Sequence, residues 1–306
     1  MDQIQNSMAD GEGRYVEANG VRLHYVASGV PGRPLVLFLH GFPEFWYAWK
    51  NQLAEFGKDY YAVALDMRGY NLSSKPEALE QYAVKQLVED LRAFTEQLGY
   101  PRFHLVGHDW GGAVAWAFAI AHPGRLRRLV IVNAPHPAIF ARELQSNPAQ
   151  QKASQYMIAF RSPGAESMLS ANNYAMLIQV VMGQGLQTGV FNDADKEEYL
   201  KAWSQPGALT GGLNYYRASR LGPGSEAFVA GSTTVPVPTL VIWGEKDTAL
   251  LPGNLDGLRE FVPDLRIERI PDTSHWVVHE KPAQVNALIR GFLDQSEVPF
   301  GGGGTP

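Results

Sequence analysis

The chain has 306 residues, 45% of them hydrophobic, enough for one large buried core with an insertion inside a single domain. A formal net charge of −5, with no basic cluster beyond Arg125, Arg127 and Arg128, argues against nucleic acid or an anionic membrane as partner. There are no cysteines, which excludes disulfides, thiolate nucleophiles and cysteine-ligated zinc.

Residues 1–13 lack the basic and then apolar stretch of a secretory signal, and no run is long enough to span a bilayer, so a cytoplasmic protein is expected. With the glycine-rich residues 297–306, they carry too little apolar surface to repay ordering and are expected to be flexible tails. Two alternating strands follow, residues 14–17 and 21–27, around Asn19-Gly20, a strong hairpin signal. Residues 34–39 are continuously apolar, as a strand covered on both faces requires, and lead into His40-Gly41-Phe42-Pro43. A helix over 45–56, a strand over 60–65, the turn Asp66-Met67-Arg68-Gly69-Tyr70 and a helix over 84–98 come next.

Residues 103–108 then read as a strand, followed by a bend at Asp109 and an alanine-rich helix. A further strand covers 129–132. The alternation of strand and helix to this point predicts a mostly parallel sheet flanked by helices. It breaks between 134 and 234, a helical stretch without a buried strand, and resumes with strands over 238–243 and 265–270 and helices over 252–261 and 282–294. The expected organisation is therefore a core built from 14–133 and 235–296, with 134–234 inserted as a helical cap.

Gly107-His108-Asp109-Trp110-Gly111 has the pattern of a nucleophile elbow, a sharp strand-to-helix turn that lifts its central side chain above the sheet. The usual serine is replaced by Asp109, which rules out a serine esterase. An aspartate here also serves as a simple N-cap. Asp247 and His275 each lie on the loop after a predicted strand, where open α/β sheets place ligands, and complete the order nucleophile, acid, histidine. Glu245 and Asp272 are rival carboxylates for the acid. The Phe42 and Trp110 amides are the expected oxyanion hole, and Phe42-Pro43 is a candidate cis peptide. His104 and His122 read as structural, and the His108 side chain is expected to point away from the substrate face.

Together, His40-Gly41-Phe42-Pro43-Glu44-Phe45-Trp46, Asp66-Met67-Arg68-Gly69-Tyr70, Gly107-His108-Asp109-Trp110-Gly111-Gly112 and Ser274-His275-Trp276 resemble the α/β-hydrolase fold epoxide hydrolases over about residues 15–295. The resemblance implies an aspartate nucleophile, a water-activating Asp and His pair and two cap tyrosines on the epoxide oxygen. Tyr156, separated by three residues from Phe160 and ahead of Pro163-Gly164, matches the first tyrosine, and Leu213-Asn214-Tyr215-Tyr216-Arg217 matches the second. Tyr156 and Tyr216 are the expected pair, with Tyr215 a close rival. Asn71 departs from the glycine more usual in the family, but asparagine tolerates a left-handed backbone.

The implied partners are a small-molecule epoxide and water, with no cofactor and no metal, in a monomer or homodimer. Phe42, Phe45, Trp110, Met157 and Tyr215 are the expected pocket lining, suited to lipophilic substrates. A tyrosine pair says epoxide, because a leaving alkoxide needs a proton where a halide does not. A dehalogenase on the same scaffold is the nearest alternative, although the usual halide-binding positions hold Phe42 and His108, and Trp110 and Ala113 replace a carboxylate-gripping arginine. A non-catalytic binding protein on this scaffold is the second.

Overall fold

The computed structural model describes residues 13–220, 222–223 and 233–295; both expected tails lie almost wholly outside them. Eight strands form one sheet: β1 (Arg14–Ala18), β2 (Val21–Ser28), β3 (Leu35–Leu39), β4 (Tyr61–Leu65), β5 (Phe103–His108), β6 (Leu126–Val132), β7 (Thr239–Gly244) and β8 (Leu265–Ile270). Their spatial order is β1-β2-β4-β3-β5-β6-β7-β8. β1 and β2 form the expected hairpin, with Asn19 and Gly20 both at positive φ as a tight two-residue turn demands. β2 joins β4 antiparallel, and every later pairing is parallel.

All residues of β3 are buried, and they divide between two cores. Leu35, Leu37 and Leu39 join the cluster containing Phe94 of α2 (Val84–Gln97) and Trp116 of α3 (Trp110–Ala121). Val36 and Phe38 face the opposite way, with Phe56 of α1 (Lys50–Phe56) and Ile289 of the last helix, Pro282–Leu293. This alternation is what a strand covered by helices on both sides requires.

Among the described residues between β6 and β7 are six helices: α4 (Pro137–Ser146), α5 (Pro148–Ala153), α6 (Tyr156–Arg161), α7 (Ala165–Thr188), α8 (Asp193–Trp203) and α9 (Ala208–Ser219). α7 is interrupted by Asn172, Asn173 and Tyr174, three successive residues at positive φ. α8 starts with a capping box between Asn192 and Asp195. Its C-terminal Trp203 donates from the indole to the Pro43 carbonyl at 2.6 Å. α9 lies directly on the core: a Cβ at Gly211 would collide with the Gly69 backbone, so only glycine permits this approach. Tyr215 adds a hydrogen bond to the Arg68 carbonyl at 2.8 Å.

Two sequence expectations need correcting. The helix expected over 252–261 is a pair of 3₁₀ turns, Pro252–Leu255 and Leu258–Glu260, parted where Gly257 adopts a positive φ that an α-helix cannot hold. The helix expected from residue 45 opens as the 3₁₀ turn Trp46–Trp49, and the α-helix begins only at Lys50. Asn71 takes the expected left-handed backbone, with φ of 40°, and Phe42-Pro43 is cis.

Candidate active site

Asp109 sits between β5 and α3 at φ 51° and ψ −122°, a combination that costs a non-glycine residue about 1–3 kcal/mol and aims its side chain outward. The pairing of β3 with β5, Leu39 opposite Gly107, brings the 40–43 loop alongside the bend. The approach is close enough that any side chain at Gly41 would strike the Asp109 carboxylate. The Phe42 amide donates to Asp109 Oδ1 at 2.8 Å. The Trp110 amide makes no such bond to that carboxylate among the described residues.

His275, after β8, faces Asp109 from the other side, with Nε2 3.6 Å from Oδ2. Its Nδ1 lies 2.6 Å from Asp247 Oδ2, after β7. Asp247 is buried and held by four partners: His275, the Asn133 side chain at 2.8 Å, and the Ala249 and Leu250 amides at 2.8 and 2.9 Å on its other oxygen. Burial disfavours its anion, but His275 and these donors outweigh that and hold its carboxyl below the usual range. Burial likewise disfavours the His275 cation, yet Asp247, then Asp109 and Glu44, raise its pKa to about 9. The rival carboxylates are engaged elsewhere, Glu245 with Arg269 at 3.0 Å and Asp272 with Lys281 at 2.8 Å.

Above Asp109 the insertion supplies a cluster of aromatic rings. Tyr216 of α9 is its hub, with ring centroids 5.1 Å from Trp110, 5.5 Å from Phe42, 5.2 Å from Phe160 and 6.2 Å from Tyr156. Burial and then neighbouring groups that include Asp109 push both Tyr156 and Tyr216 well above an ordinary phenol, so both are neutral donors. Met157 is buried beside Tyr156 on α6.

Two expected lining residues are placed differently. Tyr215 spends its hydroxyl on Arg68, since consecutive helical residues face about 100° apart and its neighbour Tyr216 takes the site-facing position. Phe45 turns away from the hub to stack on Tyr47 and pack edge-on against Tyr199.

The sequence reading overlooked Phe160 as a wall of the site, and it overlooked a buried polar cluster below it. Glu44 Oε1 accepts from Tyr199 of α8 at 2.7 Å and pairs with His279 Nε2 at 2.6 Å, and Oε2 lies 3.2 Å from His108 Nδ1. His108 Nε2 in turn contacts the His275 carbonyl at 2.9 Å. Burial opposes the Glu44 anion, but His279 and His108 hold it well below the usual carboxylate range. The four residues come from four separate segments, and no local spacing marks them.

Comparison with known proteins bears on this constellation. A family model described as alpha/beta hydrolase fold matches residues 34–282. Epoxide hydrolase 3 of Xenopus tropicalis is 40% identical over 298 residues, covering 94% of this chain and 80% of that protein. The chain belongs to the α/β-hydrolase fold epoxide hydrolases. Epoxide hydrolase 4 of Mus musculus is 37% identical, over 92% of this chain and 78% of its own. Among solved structures, the Bacillus megaterium epoxide hydrolase in complex with an inhibitor superposes with a TM-score of 0.87 at 39% identity, covering 92% of this epoxide hydrolase family member and all of that chain. No helix among its described residues is long and apolar enough to cross a membrane.

Proposed function

We propose that the protein hydrolyses lipophilic epoxides to vicinal diols through an ester on Asp109, with residues 134–234 acting as the cap over that site. Asp109 attacks an epoxide carbon, the C–O bond breaks, and Tyr156 and Tyr216 donate to the oxygen that leaves, one of them supplying its proton. By way of solvent, the His275 cation returns a proton to the tyrosinate left behind and becomes neutral; water then adds to the Asp109 carbonyl carbon while one of its protons passes to His275. The Phe42 amide, and on our reading that of Trp110, steadies the oxyanion before the ester C–O bond breaks. The departing alkoxide takes the proton from His275, and the Asp109 carboxylic acid then gives its own proton to the neutral His275, which restores the resting carboxylate and imidazolium.

The observation that carries this reading is the pair of neutral phenols, Tyr216 buried and Tyr156 partly buried, grouped at the aromatic cluster beside a carboxylate–imidazole–carboxylate chain. A leaving halide accepts hydrogen bonds but takes no proton, whereas a leaving alkoxide needs one, and a phenol can give it. Charge bookkeeping supports the two steps as well. At neutral pH His275 is a cation between two anions; esterification removes the charge of Asp109, so His275 becomes easier to deprotonate when a base is needed.

The test is turnover of styrene-type, terminal aliphatic and internal epoxides beside haloalkane and haloacetate controls, with intact-mass analysis of His275→Gln. Diol formation without halide release, and an adduct on Asp109 in the variant, are expected. Halide release without diol, or full turnover by His275→Gln, overturns the proposal.

A further inference from the structure

The hydrolytic half of the proposed reaction needs water at Asp109 while the diol fragment is still attached and fills the space under the tyrosines. A route for water that the substrate does not occupy would serve that step. A narrow cleft runs along the 42–45 loop, lined by Phe42, Pro43, Glu44 and Phe45, by Tyr70 and Asn71, and by Ala202, Trp203, Ala208 and Leu209 of α8 and α9. It has room for water rather than for an organic ligand.

Two buried polar atoms belong to its lining residues. The Tyr70 hydroxyl makes no hydrogen bond among the described residues, although its ring is held 4.6 Å from His40 and 5.2 Å from Tyr215. Glu44 Oε2 faces His108 at 3.2 Å without the alignment of a hydrogen bond. Burying a hydroxyl with nothing to bond is costly, and an ordered water is the usual remedy. Phe42 belongs to both spaces. Its ring packs on Phe160 and Tyr216, its amide holds Asp109, and it also lines the cleft. Gly212 leaves room for that ring and for Tyr70, because a Cβ there would press on both.

We propose that this cleft is a water inlet, in which water held on the Tyr70 hydroxyl passes beside Phe42 to the Asp109 ester while the diol fragment still blocks the substrate side. The inference rests on the epoxide-hydrolase reading of the site.

Two variants test it. Tyr70→Phe removes the anchoring hydroxyl, and Leu209→Trp plugs the cleft from a partly exposed position. In single turnovers of styrene oxide followed by rapid quench and intact mass, ester formation should stay within about twofold of wild type, and ester hydrolysis should slow about fivefold or more. The ester then becomes the main species during turnover. A high-resolution crystal structure of the wild type should hold water on the Tyr70 hydroxyl. Wild-type ester hydrolysis in either folded variant, or equal slowing of both steps, overturns the inlet; if Leu209→Trp does not fold, Tyr70→Phe alone decides. If His275→Gln never accumulates ester, the reaction assignment has failed instead, and the crystal water decides the inlet: none on Tyr70 overturns it.

Discussion

Replacing Asp109 with alanine should lower the pKa of His275. In the resting protein that value is about 9, since burial works against the cation but Asp247, Asp109 and Glu44 together overcome it. Asp109 Oδ2 lies 3.6 Å from Nε2. A unit charge at that separation is worth about 4–5 kcal/mol at an effective dielectric of about 20, or about 3 in pKa. The charge is spread over two oxygens, one of them engaged by the Phe42 amide, so a fall of about 1–3 is expected. Titration of the imidazole resonances by NMR in wild type and Asp109→Ala, assigned with His275→Gln, measures it. Titration at the same pH in both proteins would refute the argument that losing the Asp109 charge converts a resting cation into a base.

Loss of the Tyr156 or the Tyr216 hydroxyl to phenylalanine should each slow ester formation about 10²-fold, and the double change should slow it further, with little effect on hydrolysis of an ester already formed. Near-normal ring opening in the double variant would assign the leaving oxygen to other groups. Glu44→Ala strips Tyr199 and His279 of their shared acceptor and should cost about 3–5 kcal/mol in urea unfolding, whereas Glu44→Gln keeps an acceptor and should cost less. Equal midpoints for wild type and Glu44→Ala would show that the cluster contributes nothing. His275 gives a pH signature too. Its folded pKa is raised from 6.5 to about 9, so its contribution to stability is complete below 6.5 and disappears as pH rises through about 9. The stability difference between wild type and His275→Gln should narrow across that window, and a constant difference would contradict the shift.

Legibility from sequence followed locality. The elbow was readable because Gly107, Gly111 and Gly112 punctuate an apolar strand and an alanine-rich helix within a few residues of Asp109. The hairpin was readable because Asn-Gly names its own turn. Asp247 and His275 could be found because each follows a strand directly. The Glu44 cluster could not, since residues 44, 108, 199 and 279 meet only through the packing of α8, the 42–45 loop and the short helix Val277–Glu280 around the end of β5. Tyr216 was preferred on the resemblance, with Tyr215 a close rival, for another reason. Their spacing fixes the angle between them, but only the seat of α9 on Gly69 decides which one faces inward. The 252–261 segment was misread as one helix because its helical tendency was weighed without Gly257.

The backbone contact between Gly211 and Gly69 also sets where this fold can be recombined. α9 travels with the core, so exchanging only residues 137–203 for those of a relative would transplant Tyr156 and Phe160 while Tyr216 kept its height above the nucleophile. Crossovers placed between α8 and α9 should therefore diversify the range of epoxides accepted without resetting the chemistry, whereas a crossover inside α9 would disturb both at once.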